Sequence, residues 1–125
     1  PIHSRELPQL TSDRVSTISR RLADEICKSL RLHTPDCPRE LAIKQAQHLM
    51  AGIPRVRALL ATDVEAAFTG DPAAGGRDEI ILSYPFIETI AIQRVAHVLN
   101  ALQVPLIPRI MTEWAHSRTG IDIHP

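Results

Sequence analysis

Thr119-Gly120-Ile121-Asp122-Ile123-His124-Pro125 is the stretch on which the reading of the fold turns. Ile121 and Ile123 flank an aspartate, an alternation that puts two apolar side chains on one face of an extended segment and Asp122 on the other. Seven residues cannot fold alone, and everything before them follows a different period. The string reads as the opening edge of a repeated β structure, with Gly120 closing the helical region ahead of it. The chain begins at Pro1 and ends inside this string, so both ends are expected to be cuts from a larger protein.

Working back from Gly120, the pattern is helical throughout. A last helix is predicted from about Leu106 to Ser117. Before it, Pro85 opens a helix with Ile87, Ile90, Ala91, Val95, Val98 and Leu102 on its apolar side, and Pro105 stops it. Ile80-Ile81-Leu82 leads into Ser83-Tyr84-Pro85. Gly70-Asp71-Pro72-Ala73-Ala74-Gly75-Gly76 is the most flexible stretch, and taken locally Asp71 is the N-cap of a Pro-led helix start. Val56, Leu59, Leu60, Val64 and Phe68 form one stripe of a helix that Gly52 and Pro54 separate from an earlier one ending near Met50. Pro38 suits the first position of that earlier helix, after a turn at 33–38. Thr11 and Ser12 offer N-cap oxygens to a first helix over residues 12 to 32, with Val15, Ile18, Leu22, Ile26 and Leu30 as its stripe. The expected fold class is all-α, a helical bundle over residues 1–118, with 119–125 as the first edge of a second domain.

Composition narrows the function classes. At 125 residues the chain has the size of one domain with a modest core. Its 14 basic and 14 acidic residues cancel, so no net field would draw nucleic acid or an anionic membrane. An aromatic content of 3% leaves too few rings for a base-stacking platform. No apolar run approaches the roughly 18 residues of a membrane span. Cys27 and Cys37 show no CxxC spacing and no clustered histidines, so no metal site is signalled, and the pair reads as reduced thiols of a cytoplasmic protein.

Three strings together carry a resemblance. Ser83-Tyr84-Pro85, then Gln93-Arg94-Val95-Ala96-His97, then Ala115 to Pro125 closely resemble bacterial serine O-acetyltransferases, and Asp71-Pro72-Ala73 matches the D-P-A element of that family. The match is specific over residues 69 to 125; residues 1 to 68 resemble the family in helical character. The resemblance implies a helical amino-terminal domain preceding a left-handed parallel β-helix of hexapeptide repeats, whose first coil begins at the D-I-H-P element.

It also implies a reaction: acetyl transfer from acetyl-CoA to the hydroxyl of L-serine, giving O-acetyl-L-serine for cysteine biosynthesis. A serine hydroxyl is a weak nucleophile near neutral pH, so a histidine must take its proton and a carboxylate must orient that imidazole. Asp122 matches the orienting carboxylate. The base of the family sits in a downstream D-H-x-T-G element with no counterpart in these residues, so His124 is not the base and the fragment is expected to be inactive alone. Asp71 matches the carboxylate that receives the substrate ammonium. Acetyl-CoA is a co-substrate with its binding residues beyond the chain end, and no tightly bound cofactor or metal is implied. The family further implies L-cysteine as a feedback inhibitor, a homotrimer or dimer of trimers, and a contact with O-acetylserine sulfhydrylase.

Plainer roles cover the remaining polar residues. Arg94 and His97 share a helix face and are expected to serve structure, by capping or by pairing with acidic residues of another helix. Trp114 and His116 are expected to pack at the junction with the β-helix. Arg14, Arg20, Arg21 and Asp24 read as a solvated helix face. The alternative to an enzyme is a non-catalytic helical oligomerisation module of a hexapeptide-repeat acyltransferase with a different acceptor.

Overall fold

The computed structural model describes residues 7–33, 36 and 39–125. Five helices follow one another: α1 Leu7–Leu30, α2 Arg39–Gly70, α3 Arg77–Ser83, α4 Pro85–Ala101 and α5 Ile107–Thr119. Among the described residues there is no strand, so the chain is all-α. It divides into two units, Pro1–Ala51 and Gly52–Pro125.

In the first unit, α1 begins at Leu7, so Thr11 and Ser12 lie inside the helix instead of capping it. Pro8 is tolerated there because the first turn has no intrahelical acceptor for its missing N–H. Gln9 Nε2 donates to Asp13 Oδ1 at 3.1 Å, a one-turn bond that supports the early start. Burial is confined to the second half of α1, where Ala23, Ile26 and Cys27 are enclosed. The matching stripe on α2 is Ala42, Gln45, Ala46 and Leu49, at steps of three, one and three. Val15 and Ile18, expected in the core, are 42% and 54% exposed. The part of α2 belonging to this unit, residues 39–51, is about half the length of α1, too short to run along the whole of it within this unit. Cys27 is disulfide-bonded, which corrects the expectation of a reduced thiol. The expected turn at 33–38 and the role of Pro38 fall largely outside the described residues.

Helix α2 is continuous for 32 residues, and Pro54 sits inside it. The expected break at Gly52 and Pro54 does not occur. A proline removes one ladder bond, here to the carbonyl of residue 50. Pro54 lies on an exposed stretch of the helix, where water can take up a freed carbonyl. The signal does coincide with a boundary, because the division between the two units falls between Ala51 and Gly52.

In the second unit the close helix pair is α4 with α5. The deepest positions on α4 are Thr89, Ala96 and Leu99, facing Pro108, Thr112 and Ala115 of α5. The stripe expected from sequence, Ile87 to Leu102, is half-buried. α4 is apolar on several sides, and the small side chains of α5 decide which side comes closest. Helix α4 ends ahead of Pro105. The Gln103 N–H donates to Asn100 O at 2.9 Å and the Val104 N–H to Leu99 O at 3.0 Å, a Schellman closure with buried Val104 as its apolar plug. Gln103 takes the left-handed conformation there, at φ 58°. Leu106 follows at φ 64°, spanned by an Ile107 N–H to Pro105 O bond of 2.7 Å that makes a γ-turn before α5.

Candidate functional site

Asp71 is fixed where α2 stops. Its N–H closes the last turn onto Ala67 O at 3.0 Å, and its Oδ1 accepts the Ala73 N–H at 2.9 Å. That second bond, with Ala74 N–H on Asp71 O at 3.2 Å, makes an Asx turn and not a helix N-cap. The next helix waits until Arg77, across Gly75 and Gly76. Glu79 Oε2 then reaches back to accept the Gly75 N–H at 2.7 Å, fixing the loop to the start of α3. Arg77 clamps the far end of the loop: it donates to both oxygens of Glu65 on α2, at 2.7 and 2.8 Å, and lies over the Phe68 ring at 4.4 Å.

The other oxygen of Asp71 meets the tyrosine of the Ser83-Tyr84-Pro85 string. Tyr84 donates its phenolic proton to Asp71 Oδ2 at 2.6 Å. Tyr84 both ends α3 and caps α4, with extended backbone at φ −84° and ψ 116°. Its N–H bonds Ile80 O and its carbonyl accepts the Ile87 N–H, both at 3.2 Å. Its ring meets Phe86 edge-to-face at 6.0 Å between centroids. No local sequence signal joins two residues thirteen apart across a short helix; the pairing needs the fold.

Asp71 and Tyr84 line an open cavity of about 520 Å³ with Asp63, Ala67, Phe86 and Ile90. Two carboxylates therefore face one largely apolar hollow, and their states differ. Asp63 is held by Arg94 of α4, Nε to Oδ2 at 2.6 Å and Nη2 to Oδ1 at 2.5 Å, a two-pronged ion pair that neutralises it. This is the interhelix role expected of Arg94, whereas His97 is exposed. Among the described residues Asp71 receives only neutral donors, so no cation offsets its negative charge there. Those donors, the Tyr84 hydroxyl first and the Ala73 N–H second, hold its carboxyl below the usual range, and the Tyr84 phenol is pushed up to about 12 by its bond to Asp71.

Asp122 lies elsewhere in the same unit. Its side chain is exposed, has no hydrogen-bond or ion-pair partner among the described residues, and is not among those lining the cavity of Asp71. Exposure alternates as the sequence predicts, with Ile121, Ile123 and Pro125 half-buried and Asp122 and His124 exposed. The expected strand is not formed among the described residues, because a strand needs a neighbour to complete its ladder and none is present there. The segment is tethered at both ends. Gly120 ends α5 at φ 73° with its N–H on His116 O at 2.8 Å, and the Ile121 N–H reaches Thr119 Oγ1 at 3.3 Å. Farther along, the Arg109 guanidinium contacts His124 Nδ1 while also pairing with Glu113 at 2.6 Å. Trp114 is half exposed with Arg118 over its ring at 4.9 Å, and Arg118 also holds Glu88 of α4 at 2.8 Å. Among the described residues no cluster of side chains could hold a metal ion, and no helix is long and apolar enough to cross a membrane.

No protein-family model matches the chain. A plasmid-borne serine acetyltransferase of Synechococcus elongatus is 45% identical over 92 residues, which is 74% of this chain and 29% of that protein. A serine acetyltransferase of Helicobacter pylori is 36% identical over 66 residues, 53% of this chain and 39% of that protein. Among solved structures, serine acetyltransferase isoform 3 of Entamoeba histolytica in complex with cysteine superposes with a TM-score of 0.76 at 37% identity, over 90% of this chain and 38% of that one. The chain thus spans about a third of the length of the proteins it matches. Sequence and helical fold together place it with the serine acetyltransferases, as the counterpart of a segment of them.

Proposed function

We propose that these residues form the helical, substrate-receiving part of a serine O-acetyltransferase, which moves the acetyl group of acetyl-CoA onto the hydroxyl of L-serine. The observation that carries this reading is the charge state of the Asp71 cavity. Of the two carboxylates lining it, Asp63 is cancelled by Arg94, and Asp71 stays ionised with no cation bonded to it among the described residues. Asp71 also sits off the carboxyl end of a 32-residue helix, whose final carbonyls carry partial negative charge. An anion at the negative end of a helix dipole in an apolar hollow is suited to a small cation, and an amino-acid substrate brings an ammonium.

Asp122 then supplies the second function, holding the imidazole of a histidine outside these residues in the tautomer that can accept the serine proton. The serine oxygen attacks the thioester carbonyl as its proton passes to the histidine, the C–S bond breaks, and the histidine returns that proton to the leaving sulfur, so CoA departs as the thiol. The exposed Asp122 carboxylate is free to take such a partner from a following β-helix coil, into which Ile121-Asp122-Ile123-His124-Pro125 leads. The same ammonium site would take L-cysteine as a feedback inhibitor, since it presents the same backbone groups as serine. The remaining assignments rest on the motif resemblance alone: a left-handed hexapeptide β-helix, a homotrimer or dimer of trimers, contact with O-acetylserine sulfhydrylase, and a cytoplasmic setting.

A second reading has its own support. The leading half of α1, with Leu10, Val15 and Ile18 exposed, suits a helix that associates with another subunit, so the first unit would serve assembly while the second serves the site. The deciding experiment is release of CoA from acetyl-CoA by the intact acetyltransferase, with and without L-serine. Serine-dependent release that falls in an Asp71→Asn variant through a raised KM for serine supports the enzyme reading. Release indifferent to serine supports assembly with a different acceptor.

A further inference from the structure

We propose that Tyr84 is the positioning residue of the substrate-binding carboxylate: its O–H, 2.6 Å from Asp71 Oδ2, sets the direction in which that carboxylate meets the amino group of the substrate. The inference rests on the reading of Asp71 as the ammonium acceptor.

Three observations lead to it. Tyr84 is a rigid donor, because its backbone is bonded at both its N–H and its carbonyl, Pro85 follows it, and its ring is braced by Phe86. Asp71, by contrast, has one stiff anchor of its own. The Asx bond from Ala73 fixes Oδ1 alone and leaves the carboxylate able to swing about the axis through that oxygen. The Tyr84 hydroxyl fixes the second oxygen and so removes that freedom. Finally, each oxygen of a carboxylate has two acceptor directions, and Tyr84 and Ala73 each fill one. One acceptor direction on each oxygen remains for a donor arriving from the cavity that Asp71 lines.

An ammonium carries three donors, so this arrangement offers it a pre-set pair of acceptors, and less has to be ordered on binding. A neutral phenol suits the task better than a cation would. It orders the carboxylate and keeps it ionised while leaving its charge for the substrate, whereas a guanidinium, as at Asp63, would cancel it.

The test is steady-state kinetics on the intact acetyltransferase with Tyr84→Phe, beside Asp71→Asn. Phenylalanine keeps the ring and its contact with Phe86, and the half-exposed carboxylate it releases can recruit water, so the variant is expected to melt with the parent. The KM for L-serine should rise roughly 3- to 10-fold, the scale of one hydrogen bond to a partly solvated charge, with kcat and the KM for acetyl-CoA unmoved. The acid limb of the kcat/KM profile for serine should shift to higher pH, because Asp71 loses a donor that favours its charged form. Equal losses toward both substrates, or an unchanged serine KM and acid limb, would overturn the proposal. If Asp71→Asn leaves the serine KM unchanged, the reading of Asp71 itself fails; if it raises that KM and Tyr84→Phe does not, only the role of Tyr84 fails.

Discussion

The hydroxyl of Thr89, fully buried on α4, lies 2.8 Å from the hydroxyl of Thr119 at the end of α5. Thr119 has one proton and gives it to Ala115 O at 2.8 Å, so Thr89 must be the donor between the two hydroxyls. The same Thr119 oxygen receives the Ile121 N–H at 3.3 Å. One half-buried side chain, Thr119, thus links the α4–α5 interface to the backbone that carries Asp122.

Thr89→Val tests that link. The swap keeps the shape and removes the donor, leaving the Thr119 oxygen short of a partner in a dry interface. The expected cost is about 1–2 kcal/mol in urea unfolding, and Thr119→Val in the same background should add less than it costs alone. Full additivity of the two variants would mean that the hydroxyls do not depend on each other.

The pairing of Tyr84 with Asp71 predicts a titration. Tyr84 is the one tyrosine of the chain, so tyrosinate absorbance reports it alone. Its folded value is raised to about 12, so whatever stability the bond contributes is present below pH 10 and lost as pH climbs from about 10 toward 12. Asp71 runs the other way. Its folded value is lowered, so its contribution is present above the ordinary carboxylate range and lost as pH falls through the folded value. Asp71→Asn should bring the tyrosine midpoint down toward 10, and a midpoint near 10 in the parent folded chain would contradict the pairing.

Arg94 joins α4 to α2 through a two-pronged contact with Asp63, with both side chains about three-quarters covered. A double-mutant cycle on Arg94→Ala and Asp63→Ala should give a coupling of about 1 kcal/mol, the upper end for pairs that keep some solvent. Arg94→Lys should recover little of it, since an ammonium cannot make the forked contact. Full rescue by lysine would reduce the pair to simple charge attraction.

Periodicity carried the helices at either end of the chain, because an apolar stripe with a three- to four-residue step has few other solutions. It misjudged Pro54, because one lost ladder bond on an exposed helix face is a small defect within 32 residues. It placed Val15 and Ile18 inside because a stripe announces a face and not the length of the partner that covers it. Asp71 and Asp122 stand out through motif strings, while the bond between Tyr84 and Asp71 is not legible, since it exists only once the α3 turn folds Tyr84 back. Gln103 was invisible for a related reason: helices that stop in the left-handed conformation are usually flagged by glycine, and here glutamine occupies the position.

That glutamine yields a stability prediction. An L-residue with φ near 58° pays a steric cost that glycine does not, so Gln103→Gly should stabilise the chain by about 0.5–1 kcal/mol, after the greater freedom of glycine in the unfolded state is subtracted. Gln103→Val should destabilise it by more, because a β-branched side chain fits that region poorly. An equal response to both substitutions would show that the backbone conformation is not what the position selects.

Asp122 separates geometry from charge in the proposed reaction. Asp122→Ala in the intact acetyltransferase should lower kcat by about 10² to 10⁴, the range lost when an acid–base group is mis-set. Asp122→Asn should be nearly as damaging despite its similar shape, because an amide turned to donate would favour the wrong imidazole tautomer. The KM for serine should change little in either variant, since ammonium binding is assigned to Asp71 on a different part of the unit. The side chain is exposed and has no partner among the described residues, so neither substitution should disturb folding of these helices. A normal kcat in a well-folded Asp122→Ala enzyme would remove this residue from the chemistry, and a lowered kcat rescued by asparagine would recast it as a spacer.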